Sequence, residues 1–253
     1  MIESDDPVMP PPEETTPRTG LIIVGAFIGF LLGEVIATLL EAAGAALAGY
    51  PGGLSGLARA ATPPWWATSL GLLGLWVGFA LAVLVAYRAG GLVAWPDQWR
   101  PRWGDLAYVL LGVGCQFAVD LLYALFHPHG VSGPVHHLFG STSGTTFVLV
   151  GALSVLGAPV FEEWLFRGVL YRALSEGARV RFSRPVSVAL GAVVSAVLFG
   201  LAHAELVQLA GLVGLGVVLA LVAERSRRLV PSWVTHASFN ATAFVALVLQ
   251  RSH

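Results

Sequence analysis

The chain has 253 residues, of which 56 % are hydrophobic and only 11 % are charged. A soluble domain carries about 25 % charged residues, so this composition excludes an ordinary water-soluble protein of this size. The mean hydropathy of +0.75 indicates a membrane protein with several spans. The net charge of −1 excludes the broad basic surface that nucleic-acid binding requires. The single cysteine, Cys115, excludes an internal disulfide and any zinc site built from cysteines.

The first segment, residues 1–20, is acidic and rich in proline. A secretory signal peptide needs a positively charged start followed by a short apolar core, and this segment has neither. Its composition is typical of chains that cannot bury enough apolar surface to fold. We therefore predict a disordered tail.

Seven apolar stretches approach the length of about 20 residues that crosses a bilayer core of about 30 Å. In chain order they are Leu21–Leu40, Trp65–Tyr87, Leu106–Phe126, Thr145–Phe166, Val186–His203, Leu206–Ala223 and Trp233–Gln250. The sequence therefore predicts an all-α, multi-spanning transmembrane helical bundle of seven or eight helices, with seven preferred.

The placement of arginine tests this list of spans, because cytoplasmic loops collect positive charge. All 14 basic residues are arginine. With a cytoplasmic N-terminus, most of them fall on the inner side: Arg18, Arg88, Arg100, Arg102, Arg172, Arg179, Arg181, Arg184, Arg225, Arg227 and Arg228. The lack of lysine and the abundance of Ala, Gly, Leu and Val suggest a bacterial chain. We therefore predict a multi-pass protein of the cell (plasma) membrane with its N-terminus in the cytoplasm.

Two patterns in the first spans concern packing. The pairs Gly29/Gly33 and Gly74/Gly78 have the small-xxx-small spacing that lets helices approach closely. Glu34 is the one charged residue of the first stretch, and Glu41 lies seven residues later on the same helix face. We interpret the two acids as structural polar packing, with the lining of a polar cavity or substrate path as the alternative.

The densest group of ionisable residues lies around Pro159 in the fourth span. Glu163 and Arg167 are four residues apart with the acid first, so they share a helix face and can pair. Glu162 is rotated by about 100° from Glu163 and is left available. Pro159 lacks an N–H and should free backbone carbonyls in the preceding turn. We therefore predict one structural and one available carboxylate.

Two further pairs have i, i+4 spacing. Phe199 and His203 share a face near the end of the fifth span, and His236 and Asn240 share a face early in the seventh. A lone histidine is more often a hydrogen-bonded core residue. Ionisable groups inside a bilayer are costly, however, and they usually mark a functional site. The joint pattern with Glu162 favours a shared site.

Helix lengths raise a difficulty for this shared site. At 1.5 Å per residue, straight helices would place Glu162 near the inner face of the membrane and His203 near the outer face. The two residues can meet only if a helix bends or if the helix ends differ from those of the apolar stretches. We therefore predict a bend or displaced helix ends.

Three ordered motifs resemble those of a known family. Glu162-Glu163-Trp164-Leu165-Phe166-Arg167 matches the EExxxR signature of the CAAX-protease and bacteriocin-processing (CPBP) family. The segments Phe199–His203 and His236–Asn240 match its FxxxH and HxxxN motifs. The resemblance implies an intramembrane endopeptidase similar to the type II CAAX prenyl proteases, with N-terminal transmembrane helices over 21–143 and a catalytic transmembrane core over 144–253.

The resemblance also implies roles for individual residues. Glu162 would act as the general base that activates water, aided by His203, while His236 and Asn240 would stabilise the oxyanion. Glu163, Arg167 and Phe199 would give structural support. The implied partners are a membrane-associated peptide or protein substrate and the lipid bilayer, without nucleic acid and without a cofactor.

Alternative functions remain open at this point. Glu162, His203 and His236 are acceptable zinc ligands, and catalytic zinc sites use three such ligands and a water, so a zinc-dependent intramembrane metalloprotease is one alternative. The HExxH helix common in zinc proteases is absent from the sequence. A non-catalytic membrane scaffold or immunity protein is the second alternative, and a transporter is the third.

Overall fold

In the computed structural model of the chain, the structure describes residues 17–126, 138–140 and 142–251. Most of the predicted tail, residues 1–16, lies outside the described residues. The described part is helical and contains no β-strand. Seven of its helices are long and apolar enough to cross a membrane. The predicted all-α bundle of seven spans is therefore confirmed.

The helices are numbered here in chain order. They are α1 (Thr19–Leu47), the short α2 (Gly53–Ala58), α3 (Trp65–Arg88), α4 (Tyr108–Phe126, preceded by the 3₁₀ turn Trp103–Ala107), α5 (Gly144–Ala178), α6 (Arg184–Ala202), α7 (Leu209–Ser226) and α8 (Val230–Arg251).

Local sequence explains several helix ends. Proline is favoured in the first helical turn, where its missing N–H costs nothing, and Pro185 and Pro231 occupy the first turns of α6 and α8. Gly49 follows α1 with φ of +58°, a left-handed conformation that glycine adopts without strain. The turn between α7 and α8 requires the same conformation at Arg227, with φ of +53°. Helices α7 and α8 are therefore joined by a very short reversal.

The fourth span departs most from its prediction. Its helix, α5, continues to Ala178 instead of ending at Phe166. The segments Leu153–Gly157 and Glu163–Tyr171 within it are π-helical, a distortion that often marks functional sites. Because α6 starts only after this longer helix, the α5–α6 hairpin turn is displaced along the chain. The prediction of displaced helix ends is confirmed.

The glycines of α1 and α3 bring these two helices into close contact, as predicted. A Cβ atom added to Gly29 would lie 2.6 Å from the Cβ of Ala82 and 2.8 Å from the carbonyl oxygen of Gly78. A Cβ atom added to Gly78 would collide with the backbone of Gly29 and Gly33. The two backbones therefore pack with no room for a side chain between them.

Segments rich in arginine meet at one end of the bundle. Arg184 at the start of α6 pairs with Glu224 of α7 at 3.2 Å. Arg228 donates two hydrogen bonds to the carboxylate of Asp105, at 2.8 and 2.6 Å, and a third to the carbonyl of Arg100 at 2.9 Å. The hydrogen bonds that Arg228 donates to Asp105 are the main reason that the pKa of Arg228 is raised. Segments predicted to share one side of the membrane therefore lie together.

The α1–α3 contact gives a stability test. We expect Gly78→Ala to lower the free energy of unfolding by about 1–3 kcal/mol, because a methyl group there overpacks against backbone that cannot move aside. Thermal unfolding in detergent measures this loss. Gly114→Ala on α4 is the matched control, since nothing lies within 4 Å of its added Cβ. An equal loss in both variants would contradict close α1–α3 packing.

Candidate functional site

The site forms where α5, α6 and α8 meet, and the register of the α5–α6 hairpin sets its level. Ser195 Oγ donates to the carbonyl of Phe166 at 2.9 Å, and the rings of Phe166 and Phe199 pack edge to face at 5.3 Å. Glu162 lies one turn before Phe166, and His203 lies one turn after Phe199. Because the two helices run antiparallel, these turns lie at the same end of the hairpin. The longer α5 therefore removes the difficulty over depth.

A buried ion pair organises the α5 side of the site. Arg167 Nη1 donates to Glu163 Oε1 at 2.9 Å, and both residues are completely buried. Arg167 Nη2 also donates to the carbonyl of Gly216 on α7 at 3.4 Å. Breaking a buried pair by removing one partner leaves an uncompensated charge and costs about 3–5 kcal/mol. The predicted Glu163–Arg167 pair is confirmed, and it ties α5 to α7.

His236 on α8 contacts both adjacent carboxylates of α5. Its Nδ1 lies 2.9 Å from Glu163 Oε1, and its Nε2 lies 3.6 Å from Glu162 Oε2. The imidazole is almost fully buried, with 2 % of the residue exposed. Each nitrogen of the ring therefore faces a different acid. Glu163 is held by Arg167 and His236, while Glu162 faces the distal nitrogen.

Phe199 joins the two histidines. It is completely buried, and its ring centroid lies 4.7 Å from that of His203 and 5.6 Å from that of His236. The Arg167 guanidinium lies over the same ring at 4.3 Å, within the range of a cation–π contact. His203 Nδ1 lies 2.8 Å from the carbonyl of Phe199. This aromatic ring therefore fixes both imidazoles relative to the ion pair.

The predicted release of backbone carbonyls before Pro159 is also observed. The carbonyls of Ser154 and Leu156 lie in the first π-helical segment of α5. Asn240 Nδ2 donates to the former at 3.1 Å, and Trp233 Nε1 donates to the latter at 3.2 Å. In a π-helical turn the missing N–H of Pro159 leaves the carbonyl of Ser154 free, and Asn240 satisfies it. Both side chains dock α8 against α5.

The structure places some of the predicted site residues in direct contact and others at one remove. Glu162 directly faces His236, whereas His203 reaches His236 through the ring of Phe199. Asn240 lies one turn after His236, and its hydrogen bond goes to Ser154. The bond between His236 and Glu163 was not expected, because spacing rules relate residues on one helix and these two lie 73 positions apart.

The same residues can be tested as zinc ligands. Within the described ranges, no three His, Cys, Asp or Glu side chains are grouped so that they could hold a metal ion. His236 Nδ1 is engaged by Glu163, and His203 Nδ1 is engaged by a backbone carbonyl. Glu162, His203 and His236 are therefore not grouped as metal ligands within these ranges, although the Nε2 atom of each imidazole points away from these contacts.

One comparison with known proteins bears on this geometry. Residues 143–242 match the family model described as type II CAAX prenyl endopeptidase Rce1-like. No curated protein and no solved structure matches the chain. The matched segment contains all three motifs, so the resemblance found in the sequence is confirmed. This part of the chain, with the paired carboxylates and both imidazoles, is similar to the Rce1-like type II CAAX prenyl endopeptidases.

Proposed function

We propose that the chain is an intramembrane endopeptidase that hydrolyses a peptide bond of a membrane-associated substrate with water activated by Glu162. The single observation that carries the proposal is that the two adjacent acids have different partners. Glu163 is occupied by Arg167 and His236, whereas Glu162 Oε2 faces His236 Nε2 at 3.6 Å. The membership of this segment in a protease family supports the same reaction class.

The hydrogen bond to Glu163 decides which nitrogen of His236 carries a proton. The Glu163 carboxylate, paired with Arg167, can only accept hydrogen bonds, so His236 donates from Nδ1. In the neutral imidazole Nε2 is then an acceptor. Its distance of 3.6 Å from Glu162 Oε2 is too long for a direct hydrogen bond, and it suits a water bound to both atoms.

In the proposed reaction, the water between Glu162 and His236 is the nucleophile. It donates one hydrogen to Glu162 and the other to His236 Nε2, which points an oxygen lone pair at the substrate carbonyl. Glu162 removes a proton as the oxygen attacks, and then passes it to the amine nitrogen as the peptide bond breaks. The products are a carboxylic acid and an amine, and transfer of the acid's proton to the amine gives the carboxylate and the ammonium ion. His236 thus takes the water-orienting role that the family resemblance implied for His203.

Two further residues remain in supporting positions. His203 donates from Nδ1 to the carbonyl of Phe199, which leaves its Nε2 for the substrate or for a transferred proton. Asn240 uses one amide hydrogen on Ser154 and keeps a second. We propose that this second N–H helps to stabilise the oxyanion, since preorganised donors there contribute strongly to catalysis.

We also propose the setting in which this reaction takes place. The arginine-rich end of the bundle supports a cytoplasmic N-terminus in a plasma membrane. The family match makes a prenylated peptide with a C-terminal CAAX sequence the first substrate class to test. Without an activity on any membrane peptide, the non-catalytic scaffold would be the better interpretation.

The proposed base can be tested by one isosteric change. We expect Glu162→Gln to lower kcat/KM for cleavage of a farnesylated CAAX peptide by at least about 100-fold, the usual contribution of a general base. Mass spectrometry of the released tripeptide measures the rate. Glu176→Gln is the matched control, because Glu176 lies on the same helix in a partly exposed pair with Arg172. Wild-type rates in Glu162→Gln would overturn the proposal.

Metal dependence can be tested on the unaltered protein. We expect cleavage to continue at the same rate after exhaustive dialysis against 1,10-phenanthroline and EDTA, because the three candidate ligands are not grouped around one point in the described ranges. The measurement is the initial rate of peptide cleavage beside the zinc content of the sample. A loss of activity that added zinc restores would support the metalloprotease instead.

A further inference from the structure

A cavity of about 280 Å³, lined by none of the candidate active-site residues, lies at the end of the bundle opposite the arginine-rich turns. It is enclosed by the last turns of α1, the short helix α2 and the first turns of α3. Its lining residues are Glu41, Leu54, Leu57, Ala58, Pro63, Ala67, Thr68, Leu72 and Leu138. The walls are mainly apolar, with one carboxylate and one hydroxyl among them.

The carboxylate in this cavity lacks a cation. Glu41 is partly buried, and within the described part of the chain no hydrogen bond or ion pair engages it. Arg59, which directly follows α2, does not pair with Glu41; its Nη2 donates to Ser55 Oγ at 3.4 Å. The chain contains no lysine that could serve instead. Glu41 is therefore an acceptor open to a ligand.

The hydroxyl supplies a second, independent indication. Thr68 Oγ1 is buried and has no hydrogen-bond partner in the structure. Buried polar groups are nearly always hydrogen-bonded, so each exception calls for an explanation. A ligand that donates hydrogen bonds to both Glu41 and Thr68 would satisfy the two groups at once. A primary ammonium group fits this pair, because it carries three N–H donors and a charge opposite to that of the Glu41 carboxylate.

The position of the cavity suggests where such a ligand comes from. Trp65 and Trp66 begin α3 at the same end of the bundle, and tryptophan is enriched where membrane and water meet. Apolar walls beside one polar corner suit an amphiphile whose charged head enters the cavity while its chain stays in the lipid. We propose that this cavity binds the primary ammonium headgroup of an amphiphile, with Glu41 and Thr68 as its acceptors.

The experiment compares two lipids that differ only at nitrogen. Phosphatidylethanolamine carries three N–H donors, whereas phosphatidylcholine has the same charge and none. The purified full-length protein is titrated with a short-chain form of each lipid. Native mass spectrometry measures the bound fraction and gives both Kd values. We expect phosphatidylethanolamine to bind at least about tenfold more tightly, as loss of charge-assisted hydrogen bonds predicts. Equal Kd values would overturn the proposal.

Isosteric variants assign the preference to the cavity. We expect Glu41→Gln to abolish the tenfold preference and Thr68→Val to reduce it. Glu34→Gln is the matched control, because Glu34 lies two turns earlier on α1 and does not line this cavity. A preference that survives in Glu41→Gln would also overturn the proposal. The comparison within the wild-type protein keeps the test valid if a variant fails to fold.

A soluble amine separates the two sources of the ammonium group. Dodecylamine that displaces the lipid at similar concentration would identify a free amine as sufficient, whereas failure to displace it would show that the lipid headgroup is needed. Lipid binding requires no peptidase activity, so this proposal and the proposed hydrolysis succeed or fail separately.

Discussion

The candidate site depends on the buried contact between Arg167 and Glu163. Both residues are fully buried, so each needs the other, and removing one partner of such a pair is costly. The pairing also decides which of two adjacent acids is free. Glu163 is fixed and in turn holds His236 through Nδ1, and the ring therefore presents Nε2 to Glu162. Structure and proposed chemistry rest on the same ion pair.

Phe199 and the α5–α6 hairpin fix the position of His203 relative to this ion pair. The guanidinium of Arg167 lies over the Phe199 ring, and both imidazoles pack against that ring. The π-helical distortion of α5 contributes from the other side, because its free carbonyls receive side chains of α8. Three helices are thereby held in register around Glu162.

Much of this arrangement could be predicted from sequence. Apolar length gave seven spans, i, i+4 spacing gave the Glu163–Arg167 pair, and the missing N–H of Pro159 gave the freed carbonyls. Hydropathy failed at the end of α5, because the helix continues through polar residues to Ala178, where packing against α6 stabilises it. The bond between His236 and Glu163 was also beyond prediction, since it depends on how separate helices pack.

The central claim is that Glu163 is structural and Glu162 is available. The most direct measurement is the free energy of unfolding of two variants, Glu163→Gln and Glu162→Gln, which carry isosteric changes at adjacent positions. Thermal unfolding of both variants in the same detergent supplies these values. We expect the first to lose about 3 kcal/mol, because it leaves Arg167 buried without a counter-charge, and the second to remain close to wild type. Equal losses, or a larger loss in Glu162→Gln, would contradict the account.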